Sequence, residues 1–308
     1  MNKMIYKYIG PEILHLATKE ANYFSVKCSF PKDYNDPYEL FLTIDFNQTS
    51  ELLAFYKESI GNIPQRPTTC FSNSPIITPM WAHYAQNLSG FVVEFNEEKI
   101  KKFLTDVSIQ DVSYEEKANP QILNMMQQAY MTGKPRHSYF FWNAIEYAAY
   151  FTKHTCWNYE QERRLVVDEN NIIHKNGHMI LNIPIECIES IISGPRTKED
   201  LKNDAHSLAS KLSFKYYDMK IGKTNSFPYF LNDNEVYIFQ NNQLEKVDYF
   251  CTECKEPITD KSTICSWCKI DDKQLEYAAS RNPMNLLGQA GMLESYLSTI
   301  QNIGKKDS

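Results

Sequence analysis

No apolar stretch of this 308-residue chain approaches the roughly 20 residues needed to cross a bilayer, so the sequence predicts no membrane segment. The start, Met1-Asn2-Lys3-Met4-Ile5-Tyr6-Lys7, lacks a long apolar core and a small-residue cleavage-like site, and a cytoplasmic location is the expectation. An excess of basic residues is also missing. With Lys+Arg 32 against Asp+Glu 38, the net charge of -6 argues against bulk, sequence-independent nucleic-acid binding, while leaving room for a local basic groove. There is no internal repeat and no low-complexity segment, which excludes solenoids and disordered linkers. What is abundant is apolar and aromatic: 43% hydrophobic residues, with Tyr 20 and Phe 17, predict a compact core and aromatic-lined surfaces.

Four of the Cys 8 fall in two knuckles, Cys251-Thr252-Glu253-Cys254 and Cys265-Ser266-Trp267-Cys268. Each C-x-x-C presents two thiolates to one ion, and two of them close a tetrahedral site with no open position. The expectation is structural zinc holding a small ribbon, without chemistry of its own. Two redox dithiols fit less well, because neither pair opens a helix after a strand. Lys255, Lys261 and Lys269 balance Glu253, Glu256 and Asp260, which favours a structural or protein-docking module over a nucleic-acid finger. Cys28, Cys70, Cys156 and Cys187 stand singly and are expected as buried small hydrophobes in a reducing compartment. Beyond the ribbon, Leu286, Ala290, Leu293, Leu297 and Ile300 recur at spacings of four and three, laying an apolar stripe on one predicted helix that Gly288 and Gly291 weaken. That helix either packs on its own domain or docks in the groove of a partner such as an antitoxin or chaperone.

Along the rest of the chain, strands are predicted at Met4 to Tyr8, Tyr23 to Val26, Thr68 to Ser72 and Gly90 to Phe95. Helices are predicted at Glu12 to Thr18, Glu51 to Ile60, from Pro79, at Asn96 to Leu104, Gln121 to Met131 and Ser138 to Thr155, and at Thr197 to Leu212, where Thr197 and Asp200 approach a capping box. Asn35-Asp36-Pro37 predicts a fixed turn.

The run Glu160-Gln161-Glu162-Arg163-Arg164, continued by Leu165-Val166-Val167, reads as a strand, and alternation then puts Glu160, Glu162 and Arg164 on one face. Two carboxylates sharing a face repel unless a cation or donor is near, so the run is either a solvated strand face or a functional site.

The blocks Tyr6-Lys7-Tyr8, Asn35-Asp36-Pro37, Cys70-Phe71-Ser72, Met80-Trp81-Ala82-His83-Tyr84 and Glu160 to Arg164 resemble, in that order, an uncharacterised bacterial domain family over residues 4 to 196. The order is also similar to a divergent ADP-ribosyltransferase plan, in which a basic residue on the first strand, a Ser or Thr on a later strand and a final E-x-E strand surround NAD. That resemblance implies an α+β fold: a mixed-sheet ADP-ribosyltransferase-like core with a helical insert over residues 1–247, a zinc ribbon at 248–271 and an amphipathic helical tail at 272–308. By the same resemblance Lys7 or Tyr8 meets the adenosine or pyrophosphate side of NAD, Ser72 supports the nicotinamide-side ribose, Tyr84 stacks on nicotinamide, Glu162 is the catalytic acid, Glu160 positions or deprotonates the acceptor, and Arg164 holds a phosphate or keeps the acids ionised. The implied activity is that of an NAD-dependent toxin or anti-phage effector modifying an intracellular nucleic acid or protein. The plan normally carries Arg or His at the position of Lys7, S-T-S in place of Cys70-Phe71-Ser72, and no long insert before Glu160. Read from the residues alone, Trp81 and Tyr84 fit a core, His83 an exposed site and Ser72 a backbone contact. A metal-dependent nuclease built on Glu160, Glu162 and Asp36 or Glu94, and a non-catalytic partner-binding protein, are the alternatives. Under the enzyme reading, Glu162→Gln is expected to abolish activity with the thermal melt nearly unchanged.

Overall fold

The computed structural model describes residues 3–34, 36, 43–259 and 262–303, and Asn35 and Pro37 of the predicted turn lie outside these. The chain divides into two compact units, Met1–Lys246 and Val247–Ser308. The described residues form a mixed α+β fold with a mixed sheet.

In the first unit the chain runs β1 (Met4–Ile9), α1 (Ile13–Ala17), β2 (Tyr23–Cys28), α2 (Ser50–Gly61), β3 (Thr68–Ser72), α3 (Thr78–His83), β4 (Phe91–Asn96) and α4 (Glu97–Phe103). It continues through β5 (Val107–Asp111), β6 (Ser113–Glu115), α5 (Pro120–Thr132), α6 (Pro135–Phe151), β7 (Thr152–His154) and β8 (Glu162–Val167). It then passes β9 (Ile172–Lys175), β10 (His178–Pro184), β11 (Ile188–Ser193), α7 (Glu199–Leu212), β12 (Lys215–Lys220), β13 (Tyr229–Asn232), β14 (Glu235–Gln240) and β15 (Gln243–Lys246).

Ten strands make one sheet in the order β15-β14-β13-β12-β11-β4-β1-β3-β8-β5, antiparallel except where β11 meets β12. A second sheet, β2-β10-β9, covers one face of it. Phe24, Val26, Leu181 and Ile183 of the small sheet share a core with Ile5, Ile9, Phe71, Val93 and Phe95 of the large one, and α1, α4 and α7 add Leu14, Ile100 and Ala205. Full burial of each such side chain contributes about 1.5–3 kcal/mol. On the other face Met80 and Trp81 of α3 pack on Tyr6, Tyr8, Val92 and Ile192. The third cluster joins α2, α5 and α6 through Tyr56, Met126, Phe141 and Ile145, and α5 and α6 are the predicted helical insert before Glu160.

One close approach fixes a residue type. A Cβ on Gly90 would collide with the Ile9 carbonyl oxygen, and the Gly90 carbonyl accepts from Gly194 N (3.0 Å) and Thr197 Oγ1 (2.9 Å). Thr197 therefore anchors the loop before α7 and does not cap it; Lys198 is the cap residue, with no side-chain hydrogen bond. β9 and β10 form a hairpin, in which Asn176 and Gly177 at the turn both take positive φ.

In the second unit Asp271 caps α8 (Asp272–Ser280) in a capping box with Gln274, and α9 (Pro283–Gln289) and α10 (Leu293–Asn302) follow. The predicted apolar stripe is thus split over two helices. Gly291 sits at φ 68°, a left-handed conformation that ends helical hydrogen bonding between Ala290 and Leu293. No helix of the described residues is long and apolar enough to cross a membrane.

Candidate active site and four-cysteine centre

β1 and β3 share a single register pair, Tyr6↔Ser72, whereas β1 and β4 share six. At this weakly paired junction lies a cavity of about 320 Å³, lined by Tyr6, Lys7 and Tyr8 of β1, Lys27 of β2, Thr69 to Phe71 of β3, Met80 and Tyr84 at α3, Lys153, Glu160, and Glu162 and Arg164 of β8. Ser29, Asp33, Tyr34 and Thr68 complete its wall.

Glu160 does not lie on the strand. It ends a 3₁₀ turn, Thr155–Glu160, and Gln161 then takes φ 46° before β8 begins at Glu162. The sequence expectation of three consecutive same-face positions is therefore corrected. A left-handed turn, not the pleat, carries Glu160 to the same cavity as Glu162. The turn is fastened by Ser72, whose hydroxyl donates to the Glu160 carbonyl (2.7 Å), and by Asn73 N, which donates to the Gln161 carbonyl (2.9 Å). Tyr114 hydroxyl accepts from Glu162 N at 2.7 Å. Within β8 the pleat does hold: Glu162 and Arg164 face the cavity, while Arg163 turns away to bind Glu97 (2.7 Å) and Asp111 (2.9 Å).

Lys153 joins the carboxylates. Its ammonium donates to Glu160 Oε2 (2.7 Å) and Glu162 Oε2 (3.1 Å), and Arg164 Nε donates to Glu162 Oε1 at 2.7 Å. Arg164 Nη1 is held by the Tyr150 carbonyl (2.7 Å), and Tyr84 hydroxyl donates to Glu160 Oε1 (2.7 Å). All four charged groups are buried, with Arg164 at 0% and Glu162 at 4% exposure. The solvated-face reading of the acidic run is thereby excluded.

Burial alone would raise the Glu162 carboxyl, but the Arg164 guanidinium, Lys153 and the Cys70 thiol outweigh it and hold the group down at about 2, against an ordinary value of 4.5. A folded value below the unfolded one means that ionised Glu162 stabilises the protein above about pH 4.5, and that this is lost as pH falls toward 2. The contribution is on the order of 3 kcal/mol. Urea-unfolding free energies should therefore decline steeply over that acidic window, and the decline should flatten in Glu162→Gln; equal slopes in the two proteins would contradict the triad.

Of the other residues singled out in the sequence, Lys7 lies in the cavity with Nζ donating to Thr69 Oγ1 (2.8 Å) and the Cys70 carbonyl (2.7 Å). Tyr8 lines the wall, its hydroxyl donating to the Ser74 carbonyl (2.8 Å). Ser72 is fully buried and is not part of the lining. Trp81 is core, its indole N–H donating to the Pro75 carbonyl (2.7 Å), and His83 is exposed. Asp36 is buried but not part of the lining, and Glu94 lies elsewhere, between Tyr6 hydroxyl (3.0 Å) and Ser190 hydroxyl (2.6 Å). Cys28 and Cys187 are buried as expected, whereas Cys70 is half-buried at the cavity and Cys156 is exposed.

Sequence reasoning missed Lys153, the cation on which both acids converge. The sequence pattern extends the helix to Thr155, but α6 ends at Phe151 because Thr152–His154 pairs in parallel with β6. A lone Lys closing the aromatic run Tyr147 to Phe151 was the available signal.

In the second unit the Sγ atoms of Cys251, Cys254, Cys265 and Cys268 all lie within 4.8 Å of one another and could hold a metal ion. Cys254 and Cys265 sulfurs are 3.8 Å apart. Tetrahedral Zn–S bonds of about 2.3 Å put sulfurs about 3.8 Å apart, whereas a disulfide needs about 2.0 Å. Backbone N–H groups of Cys265 and Cys268 point at the sulfurs of Cys251 and Cys265 (3.4 Å each), and Lys255 takes φ 64° just after the first knuckle. The donor set fits a closed, four-thiolate ion.

Residues 80–165 match a family described as a protein of unknown function, DUF2971. The matched span opens on Met80-Trp81 and takes in Glu160 to Arg164, so it contains both the α3 wall and the acidic wall of the cavity. No curated protein and no solved structure matches the chain.

Proposed function

We propose that the cavity at the β1–β3 junction binds NAD and that the protein cleaves its nicotinamide–ribose bond, passing ADP-ribose to an intracellular nucleic acid or protein. A toxin or anti-phage effector is the biology such chemistry serves, and zinc is the metal proposed for the four cysteines. The observation that carries the NAD reading is the adjacency of three strands distant in sequence. β1, β3 and β8 stand side by side, Tyr6 pairs with Ser72 and Ser72 with Glu162, and Lys7 and Glu162 line one cavity.

Breaking the glycosidic bond builds positive charge on the ribose. A buried carboxylate held ionised at neutral pH stabilises that charge more than it stabilises the neutral sugar, which is the requirement for catalysis. Glu162 meets it through Arg164, and Glu160, engaged by Tyr84 and Lys153, is placed to accept a proton from the attacking acceptor. Ser72 acts on this reading through the Glu160 main chain, and Tyr84 lines the cavity while its hydroxyl is spent on Glu160. Lys27 supplies a cation for the pyrophosphate. At about 320 Å³ the cavity lies at the small end of the usual ligand range of roughly 300–1,000 Å³, enough for the nicotinamide riboside half. Lys153 must release one carboxylate for a ribose hydroxyl to reach Glu162. Because Lys153 already bridges the two acids and Arg164 engages Glu162, a divalent-ion nuclease is less well supported.

Pure protein incubated with isotope-labelled NAD and cell lysate should label a macromolecule without added magnesium, and NAD should raise the melting temperature. Absence of both, or nucleic-acid degradation that needs magnesium or manganese and ignores NAD, would reject the proposal.

A further inference from the structure

Lys7 stands apart from the other cations of the cavity. Lys153 and Arg164 are spoken for by Glu160 and Glu162, whereas Lys7 has no ion pair among the described residues. Its two hydrogen bonds go to neutral oxygens, Thr69 Oγ1 and the Cys70 carbonyl. The thiols beside it, Cys28 on β2 and Cys70 on β3, are driven up by burial, Cys28 to about 12, and so offer no thiolate to hold an ammonium. Lys27, Asp33, Glu160, Glu162, Lys153 and Arg164 are the remaining charged groups on the walls. Burial pushes the Lys7 amine below its ordinary range. When it gives up its proton the amine has two N–H bonds and one lone pair, and the two acceptors on β3 match the two N–H bonds, which frees the lone pair for a ligand.

We infer that Lys7 is an imine-forming amine for the open-chain aldehyde of a sugar bound in this cavity, ADP-ribose being the sugar that the NAD reading names. Only the identity of the sugar rests on that reading. The Lys7 lone pair attacks the aldehyde carbon, the carbonyl π pair moves to oxygen, and that oxygen takes a proton from solvent. One of the two nitrogen protons returns to solvent, and loss of the other together with the hydroxyl as water leaves a C=N bond, so amine plus aldehyde gives imine plus water with no change of oxidation state. The walls suit a polyol: carboxylates accept from sugar hydroxyls, while Thr69, Ser29 and Lys27 can donate.

The full-length protein is treated with glyceraldehyde and cyanoborohydride, which reduces any imine to a stable secondary amine, and modified lysines are mapped by peptide mass spectrometry over time. Lys7 should be modified at least several-fold faster than exposed lysines such as Lys57 and Lys273. Lys7→Arg should lose only the fast site. Modification of Lys7 no faster than of the exposed lysines in the wild-type protein overturns the inference, whether or not the variant folds. Repeating the reaction with saturating ADP-ribose separates the two claims. Trapping of ADP-ribose on Lys7 in place of glyceraldehyde supports both, and fast glyceraldehyde labelling that ADP-ribose fails to block removes ADP-ribose and the NAD reading while the reactive amine stands.

Discussion

Glu162→Gln will cut transfer of label from NAD by about a thousandfold, and it will also lower the melting temperature. The rate effect follows from exchanging a full negative charge for an amide dipole beside a developing cation, where removal of one oriented electrostatic group costs on the order of 10²–10³ in rate. The stability effect follows from the partners. Arg164 and Lys153 both contact Glu162, and all three side chains are buried, so the amide leaves two buried cations short of the carboxylate they share. Breaking a buried ion pair from one side costs about 3–5 kcal/mol. The sequence expectation of an unchanged melt is thereby revised: it held for an exposed or lightly contacted carboxylate, and this one is neither. Activity is accordingly normalised to the folded fraction, measured by circular dichroism at low temperature. Wild-type transfer by the folded amide variant would remove Glu162 from catalysis.

What the sequence made legible was local. Strands such as β1, β3 and β4, the Asn96-capped α4 and the Pro-initiated α3 depend on neighbouring residues, and their ends fall within a few positions of expectation. The knuckles were legible because metal-binding spacing is itself local. What escaped was everything set by contacts between distant segments. Gln161 sits in a run that reads as strand, and only the bonds from Ser72 and Asn73 to the turn around it reveal a left-handed corner. Lys153 comes two positions after a helix of seventeen residues and looks like its continuation until β6 claims Thr152–His154. The same holds for Thr197, whose hydroxyl is drawn from the helix end to the carbonyl of Gly90, over a hundred residues away in sequence. Pattern thus located the candidate residues, while tertiary pairing decided which of them meet.

The second large effect is expected at the cysteines. Wild-type protein should carry one zinc per chain, and Cys254→Ser should carry none and lose the structure of the residues beyond Asp248. Among the described residues of the second unit only Cys251, Cys265 and Glu256 are buried, and α8, α9 and α10 bury no side chain at all. Such a unit has no apolar core to offset the roughly 1–2 kcal/mol per residue of backbone entropy that folding costs. The ion must supply it: structural zinc contributes apparent binding free energies of about 10–16 kcal/mol at neutral pH, and these are folding free energies when the apo site is unformed. Serine keeps the size of the side chain but gives up the thiolate, so the ligand is lost without any change in packing volume. Limited proteolysis should then cut the variant between the knuckles and through α8, while the fragment ending near Lys246 survives, because the first unit holds its own core clusters. A chelator should reproduce the pattern in wild-type protein and added zinc should reverse it. A Cys254→Ser protein that remains resistant beyond Asp248, or wild-type protein that is resistant when stripped of metal, would show that the helices are held by something other than the four thiolates.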